Sequence, residues 1–266
     1  MNFTLKIMGT ASAMPISDRN PSAQVLSVHG RLFLIDCGEG AQQQFRRLKL
    51  SFLKVEAIFL SHTHGDHVFG IFGLLSTMAM LGRVQELHIY APRAFSGILG
   101  FFLSNFGDGI DYEIIHHPLE MKEPQVVHTS KYVQVSAFPL RHKIDCFGFR
   151  FDELVPKRRP QNEPFRPRSY AYCSDTMPFP ELAEWVKGVD ILYHESTYPA
   201  EMADKAEARF HSTTLQAAQC ALDAGVGKLL LGHYSSRVRD LSIFEREAKT
   251  VFPETVAADD GDTFDF

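Results

Sequence analysis

The segment Ser61-His-Thr-His-Gly-Asp-His67 places His62, His64, Asp66 and His67 within six residues. Imidazole nitrogen and carboxylate oxygen are donors that zinc accepts readily. A strand that ends in a tight turn aims neighbouring side chains at one point, and Gly65 gives that turn a backbone freedom that bulkier residues resist. The plain alternative is a solvated histidine-rich turn. However, the motif follows Ala57 to Ser61, an apolar run that reads as a buried strand, and a metal site explains that placement better. Two metals held close together can clamp the attacking and leaving oxygens of an in-line displacement. Such a site needs further ligands, and three candidates stand at strand ends: His142 after Phe138-Pro-Leu-Arg141, Asp175 after Tyr170-Ala-Tyr-Cys173, and His233 after Leu229-Leu-Leu-Gly232. Each alone is a weak signal, because capping aspartates and surface histidines are common. Together they complete seven ligands for two ions, with one carboxylate able to bridge.

The elements that must position these residues are legible in outline. Phe3 to Met8 alternates like a strand, and Gln24 to Val28 with Arg31 to Asp36 reads as a hairpin around His29-Gly30. Ala41 to Leu48 is a helix, and its closing Arg46, Arg47 and Lys49 suit the negative end of a helix dipole. Val68 to Leu81 has helical character. His88 to Ala91, Tyr112 to His116, Tyr132 to Pro139 and Phe147 to Phe151 are strand candidates. Lys157 to Arg168 is a proline-broken basic loop. Tyr170 to Cys173 and Asp190 to His194 are strands, with Glu181 to Val186 a short helix between them. Thr213 to Ala224 is a helix with hydroxyl residues before it and Gly225 behind it. Lys228 to Gly232 is an apolar strand, Leu241 to Val251 a helix, and Thr255 to Ala258 a closing strand. Apolar strands thus deliver histidines and aspartates at their ends in both halves. That pattern suits sheets covered by helices, with a site at the strand termini.

The chain has 266 residues, 45% hydrophobic and 22% charged, enough for a large core without disulfides. We read it as one domain over 1–266. A net charge of −5 argues against a uniformly basic surface but leaves room for a local basic patch that steers phosphates. None of Cys37, Cys146, Cys173 and Cys220 forms a C-x-x-C pair, so they read as reduced, mostly buried thiols of a cytoplasmic protein. The start lacks the apolar core of a signal peptide, and the apolar stretches are too short and interrupted for a membrane span.

The ordered series His62-x-His64-x-Asp66-His67, His142, Asp175 and His233 resembles that of metallo-β-lactamase superfamily hydrolases. The resemblance implies a four-layer αββα fold of the α/β class, with two mixed sheets sandwiched between helices. It implies two zinc ions, the first on His62, His64 and His142, the second on Asp66, His67 and His233, with Asp175 bridging. Manganese or iron also suit such donors. Further segments resemble the ribonuclease Z family of tRNA 3′-processing endonucleases: Gly9-Thr-Ala-Ser-Ala-Met-Pro15, Ile35-Asp-Cys-Gly-Glu-Gly40, Ser174-Asp-Thr176, His194-Glu-Ser-Thr197 and His211-Ser-Thr213. The metal motif alone would not separate nucleases from lactonases or thioesterases; the last two segments are more discriminating.

That resemblance implies hydrolysis of a precursor tRNA at its 3′ end, leaving a 3′-hydroxyl on the tRNA and a 5′-phosphate on the trailer. It implies Asp66 as proton acceptor, and Glu195 with His211 as the pair that protonates the leaving oxygen. The plain alternatives are a helix-cap neighbour for His211 and a buried ion pair for Glu195. His194, Asp36 and Glu39 are read as braces behind the site, and His29, His88, His116, His117 and His128 as structural or surface residues. The segment corresponding to Phe69 to Leu81 contributes to a homodimer interface in the family; an ordinary core helix is the alternative here. Only Asp152 to Ser169 spans the gap where bacterial members usually carry a long arm that grips the tRNA elbow. Its basic residues either contact phosphates or are simply solvated. Two other readings stand beside the tRNA nuclease: a dinuclear zinc phosphodiesterase acting on small diesters or other RNA, and a non-catalytic RNA-binding protein.

Overall fold

The computed structural model describes residues 3–155 and 165–266. The first half runs β1 (Phe3–Gly9), β2 (Ala11–Ser12), β3 (Ala23–Val28), β4 (Arg31–Cys37), α1 (Ala41–Arg47), β5 (Val55–Phe59), α2 (Gly65–Val68), α3 (Ile71–Met80), β6 (Leu87–Pro92), α4 (Phe95–Phe106) and β7 (Ile114–Leu119). The second half runs β8 (Gln125–Thr129), β9 (Val133–Pro139), β10 (Phe147–Glu153), β11 (Ser169–Cys173), α5 (Glu181–Trp185), β12 (Ile191–Glu195), α6 (Ala203–Arg209), α7 (Thr214–Ala224), β13 (Lys228–Gly232), β14 (Tyr234–Ser235), α8 (Ser242–Lys249), β15 (Thr255–Ala257) and β16 (Thr263–Asp265).

Two seven-stranded mixed sheets form, in the orders β16-β1-β3-β4-β5-β6-β7 and β15-β13-β12-β11-β10-β9-β8. Strand alternation explains how they stack. In β4, Leu32 and Leu34 pack beneath helices α1 and α3, while Phe33 and Ile35 face the second sheet. In β13, Leu229 and Leu231 pack under α7 and α8, while Leu230 faces the first sheet. Strands buried on both faces read as continuous apolar runs, as Ala57 to Leu60 and Leu229 to Leu231 do. Aromatic rings fill the layer between the sheets: Phe59 stacks on Tyr90 at 4.9 Å and meets Phe149 edge-on at 5.3 Å.

The strands of the site run in the same sense within each sheet. β4 pairs parallel with β5, and β12 pairs parallel with both β11 and β13. Their C-terminal ends carry Asp36, the Ser61–His67 motif, Asp175, Glu195 and His233 to one edge of the sandwich. α7 starts where Thr213 and Gln216 form a reciprocal capping box and ends at Gly225 in the left-handed region.

Among the described residues, α4, α6, β8 and β16 escaped the sequence reading, as did the two-residue strands β2 and β14. α4 is rich in phenylalanine and glycine and shows no strong polar face. α6 is short and charged, β8 carries little apolar alternation, and β16 is an edge strand of three residues. The expected helix over 68–81 divides, because Gly70 ends α2 against the turn after β4: its amide donates to Cys37 O at 2.8 Å. A Cβ on Gly70 would lie 2.1 Å from Gly38 O, and one on Gly38 would lie 2.5 Å from Asp66 O. The two glycines therefore let the turn after β4 touch the backbone of the histidine motif. Gly70→Ala should cost about 1–3 kcal/mol through forced backbone displacement and lower the metal content of the purified protein. An unchanged thermal midpoint together with unchanged metal content would show that this close approach is not needed.

Candidate metal centre

All seven expected ligands converge. His62, His64, His142 and Asp175 form one set, and Asp66, His67 and His233 another, each with its donor atoms within 4.8 Å of one another. In the first, His64 Nδ1 lies 3.0 Å from His62 Nε2 and 3.4 Å from His142 Nε2. In the second, His67 Nε2 lies 3.3 Å from His233 Nε2, and Asp66 Oδ2 lies 3.4 Å from His233 Nε2. Asp175 faces both. Its Oδ2 is 3.6 Å from His62 Nε2 and 3.8 Å from His142 Nε2, and its Oδ1 is 3.5 Å from His67 Nε2 and 3.2 Å from His233 Nε2.

The donor chemistry fits cations at both positions. Zinc–nitrogen bonds of about 2.0–2.1 Å in a tetrahedron place ligand atoms roughly 3.3–3.4 Å apart, within the 3.0–3.8 Å range found here. The remote ring nitrogens are engaged elsewhere. His67 Nδ1 donates to Asp36 Oδ2 at 2.7 Å, His142 Nδ1 to the Phe210 carbonyl at 3.0 Å, and His233 Nδ1 to Thr197 Oγ1 at 2.9 Å. Their Nε2 atoms are thereby turned toward the donor cluster. Asp175 Oδ1 is buried and has no hydrogen-bond donor among the described residues, a costly state unless a cation meets it.

Protonation follows the same field. Burial, then the neighbouring imidazoles, hold His62 well below its usual range, so it is neutral and able to ligate. Burial likewise opposes charge on His67, yet the carboxylates of Asp66, Asp175 and Asp36 outweigh it and lift His67 to about 10. A cluster that holds a proton this firmly favours positive charge. Burial would also raise Asp66, but His67, His233 and the Ala13 amide hold it far below the usual carboxylate range. The Ala13 N–H reaches Asp66 Oδ2 at 2.7 Å.

Two buried carboxylates brace the candidate ligands. Asp36 accepts from the Ser61 amide at 2.7 Å, from Ser61 Oγ at 2.9 Å and from the Tyr172 hydroxyl at 2.6 Å, besides His67. Glu195 accepts from the amides of Thr176 at 3.1 Å, Thr197 at 2.9 Å and Ser212 at 2.9 Å, and from Thr197 Oγ1 at 2.8 Å. His211 Nδ1 meets Glu195 Oε1 at 3.0 Å, and its ring lies 5.3 Å from that of His142. Burial opposes both charges of this pair. Even so, His211 holds Glu195 below the usual carboxylate range, and Glu195, with Asp175, lifts His211 to about 9. His211 is therefore protonated at neutral pH and lies beside the donor cluster.

The other expectations divide. Asp36 braces the site, whereas Glu39 is exposed. His194 does not reach a ligand: it bonds the Glu195 carbonyl at 2.7 Å and lines a cavity of about 360 Å³ with Phe179, Gln216 and Cys220. Alternation along β12 explains the difference, since Glu195 and His194 must point to opposite faces. His29 pairs with Glu153 at 2.7 Å, and His88 with His117 at 3.0 Å, away from the centre. The four cysteines are free, with Cys220 only half-buried. Lys157, Arg158 and Arg159 lie outside the described residues. Sequence reasoning missed Thr197 as the link from His233 to Glu195, and the Ala13 amide. It also missed that Ala13, Asp36, Phe210 and His233 adopt positive φ of 65°, 52°, 62° and 60°. Non-glycine residues enter that region at a cost and often do so at functional sites.

Asp36→Asn should weaken metal binding about 10- to 100-fold, because the imidazole of His67 loses the carboxylate that orients it and raises its basicity. A competitive chelator titration reads this directly; equal affinity would remove Asp36 from the centre.

A family model described as a beta-lactamase superfamily domain matches residues 31–234. Ribonuclease Z of Bacteroides thetaiotaomicron is 38% identical, over 96% of this chain and 93% of that protein. Ribonuclease Z of Bacteroides fragilis is 37% identical, over 96% of each. The crystal structure of human tRNase Z, short form, superposes with a TM-score of 0.82 at 26% identity, covering 98% of both chains. With its two mixed sheets between helices, the chain has the metallo-β-lactamase fold and belongs to the ribonuclease Z family.

Proposed function

We propose that this chain, acting as one hydrolase domain, is a metal-dependent endoribonuclease that cuts precursor tRNA at its 3′ end, leaving a 3′-hydroxyl on the tRNA and a 5′-phosphate on the trailer. One observation carries the reading beyond a generic dinuclear hydrolase: a charged Glu195–His211 pair, 3.0 Å between oxygen and nitrogen, stands beside the donor cluster. Phosphodiester cleavage needs a proton for the departing 3′ oxygen, and His211 carries one at neutral pH.

His62, His64 and His142 would hold one ion and Asp66, His67 and His233 the other, with Asp175 between them. Two zinc ions suit these donors, and manganese or iron are the alternatives. When bound, such ions supply a nucleophile from water at neutral pH and neutralise charge on the phosphoryl oxygens. The protein's own residues do the rest. Asp66, oriented by the Ala13 amide, accepts the proton of the attacking water as the new oxygen–phosphorus bond forms. His211, held by Glu195, donates its proton to the 3′ oxygen as the old bond breaks. Thr197 ties His233 to the same carboxylate, so ligand and proton donor keep a fixed relation.

Among the described residues no helix is long and apolar enough to cross a membrane; with the family's substrate, a cytoplasmic location follows as part of the proposal. So does a homodimer. Phe101 and Phe106 of α4, 65% and 62% exposed, line an apolar groove of about 430 Å³ together with Phe72 of α3, and Met80 at the end of α3 is 78% exposed. Phe101→Glu should shift the protein toward monomer in sedimentation velocity; an unchanged sedimentation coefficient would place any self-association elsewhere.

Incubation with a 3′-extended precursor tRNA and zinc should release a 5′-phosphorylated trailer, and His211→Ala should lower turnover by about 10²–10⁴ with metal content retained. Absence of cleavage across several metals would sink the nuclease reading. Strong cleavage of a model diester without cleavage of tRNA would favour the small-diester phosphodiesterase, a reading that the short 152–169 connection supports.

A further inference from the structure

Phe210 has no part in the centre described above beyond its carbonyl, yet its side chain stands out. It closes α6 in the left-handed region at φ 62°. Glycine or asparagine fills such a helix end most easily, and an aromatic residue there carries a steric cost. The backbone is nevertheless locked. The His211 amide donates to Ala206 O at 2.9 Å, and the Phe210 carbonyl accepts the Nδ1 proton of His142 at 3.0 Å. The residue is left 38% exposed. The exposed Lys143, next to His142, holds its ammonium 5.9 Å from the ring centroid. A partly exposed aromatic ring, with a cation over it, thus sits one residue away from the proton donor, and that cation one residue away from a proposed ligand; the His142 bond holds the Phe210 backbone in place.

We infer that Phe210 is a substrate-positioning platform on which an unpaired RNA base stacks, with Lys143 moving from over the ring to contact the adjoining phosphate. The base belongs to the nucleotide that carries the leaving 3′ oxygen, because Phe210 adjoins His211, which serves that oxygen. Stacking suits this place: every base has a π face, so an aromatic shelf orients a single strand without demanding one sequence. A rigid shelf also restricts where the strand can bend into the centre. The inference rests on the nuclease reading above.

The test compares wild type with Phe210→Ala, Phe210→Leu and Phe210→Trp on a 3′-extended precursor tRNA and on two abasic versions. One lacks the base of the nucleotide bearing the leaving oxygen, and the other lacks the first trailer base. Phe210→Ala should raise KM about tenfold, the scale of one lost base–aromatic stack, while kcat changes by less than about twofold. Phe210→Trp should restore KM and show indole fluorescence quenched by a single-stranded RNA ending. On the precursor abasic at the leaving side, wild type and Phe210→Ala should become equal. Metal content shows whether the His142 tie survives; where the alanine variant loses metal, Phe210→Leu, with bulk but no π face, takes its place. Wild-type KM in both apolar variants, or a penalty that disappears only with the abasic trailer, would overturn the inference while leaving the nuclease reading intact. A wild type that cleaves no precursor would overturn both.

Discussion

Seven donor groups crowded to within three to four ångströms, most of them buried, impose the constraint on which the site depends. Imidazole lone pairs and carboxylate oxygens repel one another at that range, and burial removes the water that would screen them. Only positive charge makes the arrangement favourable. Without metal that charge is the proton on His67, held by three carboxylates. Asp175 shows the demand most clearly, with one oxygen turned toward each cluster and one of them lacking any donor among the described residues.

A crowd of this kind must be held by something rigid, and each sheet contributes one buried carboxylate for the purpose. Asp36 at the end of β4 fixes His67 and Ser61 and reaches across the sandwich to Tyr172 of β11. Glu195 at the end of β12 fixes His211 directly and His233 through Thr197. The aromatic layer between the sheets sets their separation, so candidate ligands from both halves of the chain meet at the same edge. Glycines at 38 and 70 let the turn after β4 approach the histidine motif closely enough for Asp36 to serve it.

Backbone cost concentrates at the same place. Asp36, His233, Ala13 and Phe210 all hold positive φ. One presents a brace, one a donor nitrogen, one an amide aimed at Asp66, and one a carbonyl aimed at His142. Hydrogen bonding and packing around these residues offset strain that a loop elsewhere would relax. This is the sense in which the site is preorganised: its geometry is set by the fold before any substrate arrives.

The sequence by itself determined the candidate ligands, their order and most of the strands that carry them, because burial on both faces of a strand leaves an apolar run and the candidates sit where such runs stop. It also supplied the Glu195 and His211 pair through its resemblance to ribonuclease Z. It could not sort neighbours on one strand: His194 and Glu195 are adjacent letters, and only the pleat decides which faces the centre. Nor could it show that Thr197 links two histidines, or that four ordinary residues adopt left-handed backbone, since nothing in an alanine or a phenylalanine marks it for that region. Helix α4 escaped notice because its phenylalanines occupy both its buried and its exposed face, which erases the polar stripe that reveals a surface helix. The opening cluster therefore pointed to the chemistry, while long-range packing decided the geometry: partners of these imidazoles lie up to 167 positions away in the chain, and only the stacked sheets bring them together.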